Sequence, residues 1–147
     1  MTPSAEAPTS GFRSETIVRT RDRWLEIRNL HVGDEVLARC PESGETGYRA
    51  ITAISEVDLV MGTDVFAQGD SSGEWIGTTD RQSFWVRGRG WIAAVDLRDG
   101  DVLELAEGGT ATVKAAWPAE VDTTLHSVAV DGLHALHVGQ LGVLVHD

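Results

Sequence analysis

A chain of 147 residues, 41% of them hydrophobic, has the right size for one globular domain with its own core. Its 23 acidic residues outnumber 12 lysines and arginines. The net charge of -11 opposes nucleic acid as a partner, because phosphate binding requires clustered cations. We expect neither a secretory signal nor a membrane span, since no apolar run approaches about 18 residues. A single cysteine excludes an internal disulfide and favours a cytoplasmic location.

The first ten residues, MTPSAEAPTS, contain two of the four prolines and no large aliphatic residue besides Met1. Such a segment cannot bury enough apolar surface to offset the entropy of ordering. We therefore expect a disordered tail at residues 1–10 and one folded domain at residues 11–147.

The rest of the chain consists of short β-rich runs separated by glycine-rich turns, with little helical periodicity. In chain order the runs are TIVRT, DEVLAR, YRAITAI, SFWVRG, DVLELA, TATVKAAW, HSVAVDG, ALHVG and LGVLVH. Many short strands with turn signals at this spacing predict an all-β domain. The stretches GETGY and EGGTA predict hairpins between neighbouring strands.

A sequence repeat divides the domain into two halves. WLEIRNLHVGDEV at residues 24–36 returns as WIAAVDLRDGDVL at residues 91–103, at an offset of 67. Two copies in one small β domain predict a pseudo-twofold fold made by duplication. Residues 12–60 and 79–127 should then superimpose by a twofold rotation. The aligned pairs are Trp24 with Trp91, Leu30 with Leu97, Gly33 with Gly100, Asp34 with Asp101 and, extended backwards, Ile17-Val18 with Phe84-Trp85.

Asp34 and Asp101 each follow a glycine and precede an apolar pair. In such a turn the glycine can supply a positive φ and the aspartate can hydrogen-bond the backbone. A structural role for both aspartates is therefore favoured over a catalytic pair of carboxylates.

Three segments carry a resemblance to a known family: IRNLHVGDEVLARCPESGETG, FWVRGRGWIAAVDLRDGDVL and VDGLHALHVGQLGVLVHD. Over residues 11–147 the chain resembles the Hint domain of inteins, hedgehog autoprocessing domains and bacterial pre-toxins. The resemblance implies a horseshoe-shaped, all-β, intein-like fold with internal pseudo-twofold symmetry. The repeat, identified without the family, agrees with that expectation.

The resemblance also implies a cleft in which four groups act on the protein's own backbone. In the family, a first Cys or Ser attacks the preceding carbonyl, and the histidine of an S/T-x-x-H motif assists this acyl shift. A penultimate His and a terminal Asn then cut the downstream bond as the Asn amide cyclises onto its own carbonyl. The chemistry needs an activated nucleophile beside a base.

At these positions the present sequence departs from the family pattern. The opening C-F-x-x-x-T-x-V falls on GFRSETIV, so Gly11 stands where the nucleophile belongs. The T-x-x-H motif falls on TDRQ, which keeps Thr79 but places Gln82 at the histidine. Glutamine forms hydrogen bonds but cannot shuttle a proton near neutral pH. The closing His-Asn falls on His146 and Asp147, and the carboxylate of Asp147 lacks the amide nitrogen that cyclisation needs.

A further family histidine, in a G-x-H-x-x-x-V context, is retained as His134. Gly11, Gln82 and Asp147 are thus degenerate processing positions, and we expect a stand-alone domain without self-splicing. Deliberate replacement of these residues is the alternative explanation. Natural drift is favoured because an engineer would normally use alanine.

The emptied cleft would be lined by Thr79, Asp80, Gln82, His134, His146 and Asp147. Such a mixture of donors, acceptors and imidazoles suits a small molecule or a peptide. One hypothesis is a binding module in which Asp80 and Gln82 contact the ligand. A second is a repurposed acid–base enzyme, such as an isomerase or cyclase of a biosynthetic pathway. Its catalytic candidates are His134, His146, Asp147 and Thr79. Residual autoprocessing is the third and is disfavoured.

The sequence predicts neither a metal site nor a cofactor. His134 and His137 are three residues apart, so on a strand they would point to opposite faces. His31 and His126 have no metal-binding spacing either. Cys40 lies near a turn with no recognisable basic partner, and we interpret it as an inert small hydrophobe. The oligomeric state stays open.

Overall fold

The computed structural model describes residues 10–147, so the predicted tail apart from Ser10 lies outside the described residues. In this range twelve strands join in one antiparallel sheet. Two short 3-10 helices span Ile27–Asn29 and Ala94–Asp96. The strands are β1 (Phe12–Arg13), β2 (Ile17–Arg19), β3 (Trp24–Glu26), β4 (Glu35–Arg39), β5 (Thr46–Gln68), β6 (Gly73–Thr78), β7 (Ser83–Val86), β8 (Gly90–Ala93), β9 (Val102–Glu104), β10 (Thr110–Val130), β11 (Ala135–Val138) and β12 (Val143–His146).

This architecture confirms the predicted all-β class. The turns GETGY and EGGTA connect β4 to β5 and β9 to β10, as hairpins should. Among residues 10–147 no helix has the length and apolar character needed to cross a bilayer.

Two strands are far longer than the sequence indicated. TATVKAAW and HSVAVDG both belong to β10, which pairs along most of its length with β5. The prediction of two separate short strands was wrong here. Three shifts of register interrupt the β5–β10 ladder without ending it. Such bulges bend and twist a strand, which lets one continuous strand serve both halves of the domain.

The two copies of the repeat have the same backbone geometry. Both 3-10 helices obey the offset of 67, and Gly33 and Gly100 have φ of 98° and 97°. Their N–H groups donate to Ile51 and Val113 at 2.9 and 2.8 Å. Positive φ is where glycine is favoured over residues with a side chain. The sequence repeat is therefore a structural repeat over these segments.

Asp34 and Asp101 hold the equivalent turns closed. The Oδ2 atom of each accepts a backbone N–H three residues earlier, from His31 and Arg98, at 2.9 Å in both cases. These are the local hydrogen bonds that the sequence predicted for the two aspartates.

The backward extension of the repeat needs a correction. The first N–H of each 3-10 helix donates at 2.8 Å, to the carbonyl of Thr16 in one half and of Gln82 in the other. The offset at this point is 66 and not 67. The first hairpin of the second copy is one residue longer, since the paired residues Ser83 and Ala93 are ten positions apart and the equivalent Ile17 and Glu26 are nine apart. The predicted alignment of Ile17-Val18 with Phe84-Trp85 is therefore displaced by one residue.

The sheet order brings distant parts of the chain to one place. β12 pairs with β11 and with β7, while β1 pairs with β10 and β6. The segment TDRQ, between β6 and β7, thus lies between the start of β1 and the end of β12. Large buried side chains fill the core beneath, among them Phe84, Ile51, Leu103, Leu125, Leu136 and Leu144.

Candidate functional site

Gln82 forms hydrogen bonds to two segments that are far apart in sequence. Its Oε1 accepts the N–H of Gly11 at 2.9 Å, and its Nε2 donates to the carbonyl of His146 at 2.9 Å. Nε2 also donates to the carbonyl of Ser83 at 3.1 Å. The side chain is completely buried, so each of these bonds satisfies a polar group away from water. One amide therefore joins the segment that enters β1 to the segment that leaves β12.

Gly11 lies on Thr79. The N–H of Thr79 donates to the Gly11 carbonyl at 3.1 Å. A Cβ built on Gly11 would lie 3.3 Å from the γ-methyl of Thr79 and 3.5 Å from Cβ of Leu125. That space admits a small side chain if Thr79 moves by a few tenths of an ångström. The packing at this position does not demand glycine.

Asp147 is anchored by three groups. The N–H of Val130 donates to its Oδ2 at 2.9 Å, and Nδ1 of His134 lies 3.1 Å from the same atom. Nδ1 of His146 lies 3.3 Å from Oδ1. The Asp147 side chain is 9% exposed, whereas those of His134 and His146 are 64% and 44% exposed. A buried carboxylate thus holds two imidazoles that reach water.

The electrostatics of this group favour an ion pair. The hydrogen bond that His146 donates to the Asp147 carboxylate raises the pKa of His146 above its ordinary value, and this outweighs the opposing effect of burial. Burial opposes ionisation of Asp147, but hydrogen bonds from His146, Val130 and His134 together lower its pKa. The ring of Trp91 also contacts His146 edge-on, with centroids 5.0 Å apart.

His134 has an unusual backbone conformation. Its φ is +57°, in the left-handed region that residues with a side chain rarely adopt. Its carbonyl accepts the N–H of Asp147 at 3.0 Å, which holds this conformation from the neighbouring strand. The imidazole is thereby aimed at the Asp147 carboxylate.

Six of the residues at the predicted processing positions and cleft therefore lie together as one group in contact, which we call the Gln82 cleft after the predicted cleft. Its members are Gly11, Thr79, Gln82, His134, His146 and Asp147. The structure does not bring the side chain of Asp80 to them. Oδ1 of Asp80 accepts from the hydroxyl of Thr63 at 2.7 Å, and the residue is exposed. Five cavities outlined by described residues lie elsewhere on the surface.

The remaining histidines have separate surroundings. His137 is buried, and its Nδ1 donates to the carbonyl of Gly142 at 2.8 Å. Burial lowers the pKa of His137 to about 4. His126 contacts Ser14. Within residues 10–147 no group of three possible metal ligands is formed.

Sequence reasoning missed two contributors to the cleft, Trp91 and the N–H of Val130. Trp91 was noticed only as a member of the repeat, and its contact with His146 crosses from β8 to β12. Val130 is an apolar residue that acts through its backbone. Trp91 reaches His146 because β7 pairs with both β8 and β12. A sequence pattern does not specify this strand order, so it gave no signal for the contact.

Comparison with solved structures places this geometry among intein folds. The bacterial intein-like domain from Clostridium thermocellum is 27% identical, with a TM-score of 0.85, and the match covers 93% of this chain and 98% of that one. The gp41-1 intein is 19% identical, with a TM-score of 0.76 and coverage of 94% and 98%. A DnaB intein from Synechocystis sp. PCC 6803 is 12% identical, with a TM-score of 0.73 and coverage of 93% and 97%.

At the lower two identities the likeness concerns the fold alone. No curated protein matches the chain. A family model described as the pretoxin HINT domain matches residues 17–147, which is nearly all of the described chain. The protein therefore belongs to the pretoxin Hint family.

Proposed function

We propose that this Hint domain does not process its own backbone and uses the Gln82 cleft to bind a small polar molecule or a peptide segment. The observation that carries the proposal is the double hydrogen bond of Gln82, to the N–H of Gly11 and to the carbonyl of His146. The N–H of Gly11 belongs to the bond that the family's acyl shift would break, and His146 directly precedes the position of the family's terminal Asn.

The upstream acyl shift lacks both of its reagents. Gly11 has no side chain to attack the preceding carbonyl, and the leaving N–H of Gly11 needs a proton donor. Its partner is an amide oxygen, which accepts a hydrogen bond and has no proton to give. On the downstream side, the Asp147 carboxylate is ionised and already engaged by three groups, so it is a poor substitute for an asparagine amide.

The groups that remain are suited to recognition. Two partly exposed imidazoles surround an anchored carboxylate and supply donors and acceptors at the mouth of the cleft. Cleft histidines of this kind can hold a carboxylate, a hydroxyl or a peptide group. The net charge of -11 makes a neutral or cationic ligand more suitable than a polyanion.

A second candidate function is acid–base catalysis on such a ligand. The observation that favours it is the hydrogen bond to Asp147, which raises the pKa of His146 in a half-exposed ring. The two candidates differ in outcome, since a binding module returns its ligand unchanged and an enzyme converts it.

Processing is tested by placing carrier proteins at both ends and following intact mass with and without added thiol. We expect no cleavage of the natural sequence. Restoring the family residues by Gly11→Cys, Gln82→His and Asp147→Asn together serves as the positive control. Scission of the natural sequence next to Gly11 or Asp147 would contradict the proposal.

Binding is tested by titrating a panel of blocked tripeptides and small hydroxy acids while recording NMR signals of the histidine rings and the Trp91 indole. We expect at least one compound to shift the His146 and Trp91 signals together. His146→Ala should abolish that response, whereas His31→Ala, which removes an exposed imidazole far from the cleft, should not. Mass analysis of the recovered compound then separates binding from conversion.

A further inference from the structure

Ser14, His126 and Glu56 form a second cluster, outside the Gln82 cleft. Oγ of Ser14 lies 2.9 Å from Nε2 of His126, and Nδ1 of the same ring lies 3.8 Å from a carboxylate oxygen of Glu56. The three side chains thus follow the order hydroxyl, imidazole and carboxylate. This order is that of an activated nucleophile with a base and a group that orients the base.

The cluster faces away from the Gln82 cleft. Leu125 is buried and lies 3.5 Å from the position of a Cβ on Gly11. Successive residues of a strand point to opposite faces, so His126 projects from the other side of β10. Glu56 is the residue directly opposite His126 on β5. The proposed function of the cleft therefore does not account for these contacts.

The backbone holds Ser14 in place. Its carbonyl accepts the N–H of Arg28 at 3.2 Å, and the neighbouring carbonyl of Arg13 accepts the N–H of Thr16 at 3.0 Å. His126 stands within the longest ladder of the sheet, and Ser14 lies in the hydrogen-bonded turn that follows β1. Ser14 is partly exposed, which leaves its hydroxyl an approach from solvent, while the His126 side chain is only 12% exposed.

We propose that Ser14 is a nucleophile towards small esters with good leaving groups, with His126 as its base and Glu56 as a positioning residue. In the productive tautomer Nδ1–H of His126 points to Glu56 and Nε2 accepts the Ser14 hydroxyl. Oγ attacks the acyl carbonyl as its proton passes to Nε2. The C–O bond to the leaving alcohol breaks, and the alcohol takes that proton.

The acyl group then remains on Ser14 as an ester. A water molecule that gives its proton to Nε2 attacks this ester, releases the carboxylic acid and returns the proton to Oγ. Hydrogen-bond donors to the developing oxyanion usually make the largest stabilising contribution in acyl transfer. The described contacts assign no such pair of donors here. The substrate class is therefore restricted to esters whose alcohol or phenol leaves easily.

The test is reaction of the intact protein with p-nitrophenyl acetate and with a fluorophosphonate probe, with the modified residue located by peptide mass. We expect the fluorophosphonate to modify one site, Ser14, and p-nitrophenyl acetate to acylate the same hydroxyl. Ser14→Ala should abolish modification, and His126→Gln should slow it at least about a hundredfold. Glu56→Gln should slow it less, and Glu56→Asp, which keeps a carboxylate opposite His126, should restore part of the rate.

Ser55→Ala, which removes an exposed hydroxyl beside Glu56 on β5, is the matched control and should react like the natural sequence. Circular dichroism of each variant shows whether it is folded. The proposal is overturned if Ser14 stays unmodified in the folded natural protein. It is equally overturned if Ser14→Ala retains the reaction or if folded His126→Gln reacts at an unchanged rate.

Discussion

The indole of Trp91 stands edge-on to the imidazole of His146, with ring centroids 5.0 Å apart and an angle of 79° between the rings. Because a protonated imidazole quenches a neighbouring indole more than a neutral one, this pair reports the charge of His146. Asp147 raises the pKa of that histidine, so we expect the midpoint of the fluorescence transition to lie at a higher pH than the ordinary histidine pKa of 6.5. His146→Gln should remove the transition, while His31→Ala should leave it in place. If the transition were unchanged in His146→Gln, it would arise from another tryptophan and not from the pair of Trp91 and His146.

Truncation of the Gln82 side chain should destabilise the folded protein strongly. Gln82→Ala leaves the N–H of Gly11 and the carbonyl of His146 without their partner in a buried site. Since each unsatisfied buried group is costly, we expect the free energy of unfolding to fall by about 3 kcal/mol. Urea denaturation measures it, with Gln140→Ala at an exposed position as the control. A loss no larger than that of the control would contradict the role of Gln82.

A second substitution at this position separates the donor from the acceptor. In Gln82→Glu one carboxylate oxygen still accepts from Gly11, but the other faces the carbonyl oxygens of Ser83 and His146. Repulsion there should raise the pKa of the introduced carboxyl. Its stabilising contribution is then present at low pH and lost as the pH rises through the folded-state pKa. The difference in stability from the natural protein should therefore shrink as the solution is acidified.

His137 makes the stability of the natural protein fall as the pH is lowered, whereas the introduced carboxyl of Gln82→Glu makes stability fall as the pH is raised. Its folded pKa is about 4, below the ordinary 6.5, because burial penalises the charged ring. The unfolded chain therefore takes up a proton between these values while the folded chain does not. Stability should fall as the pH drops from about 6.5 to 4, by roughly 3 kcal/mol at most. His137→Gln should lower stability at neutral pH yet remove this decline, which denaturation at a series of pH values would show.

Asp34 and Asp101 allow the two halves of the domain to be compared. Both accept a backbone N–H in the same turn, but Asp101 also binds Arg89 at 2.7 Å and is less exposed. We expect Asp34→Ala to cost about 1 kcal/mol and Asp101→Ala about 2 kcal/mol. Thermal unfolding of the two variants and of the double variant measures this. Equal losses would show that the Arg89 ion pair adds nothing.

Features set by local chemistry were predictable from the sequence. The turns at Gly33 and Gly100 require only a positive φ and an aspartate that reaches back three residues, and both requirements are visible in the repeat. The family resemblance pointed to the residues of the Gln82 cleft, because they come from four short motifs. These motifs meet only through the order of the strands, which spacing along the chain does not specify.

Non-local geometry was the part that sequence could not supply. The continuity of β10 depends on bulges against β5, and a bulge leaves no fixed signature in a run such as TATVKAAW. Asp80 was assigned to the cleft from its place in TDRQ, whereas its carboxylate turns towards Thr63 on β5. The two halves differ by one residue in the length of their first hairpin, and the aligned repeat, which begins at the second strand of that hairpin, does not specify this length.

The bridge made by Gln82 has a consequence for the way this domain can be built into other proteins. Gly11 and His146 contact opposite ends of one side-chain amide, so the polypeptide enters and leaves the domain at adjacent points. If residues 11–147 were inserted into a surface turn of a host protein, the two ends of that turn would therefore stay close together. Domains with adjacent ends tolerate such insertion and also circular permutation. The same proximity means that tension along a surrounding chain would act first on the contacts of Asp147 and on the two hydrogen bonds of Gln82, before it reached the core.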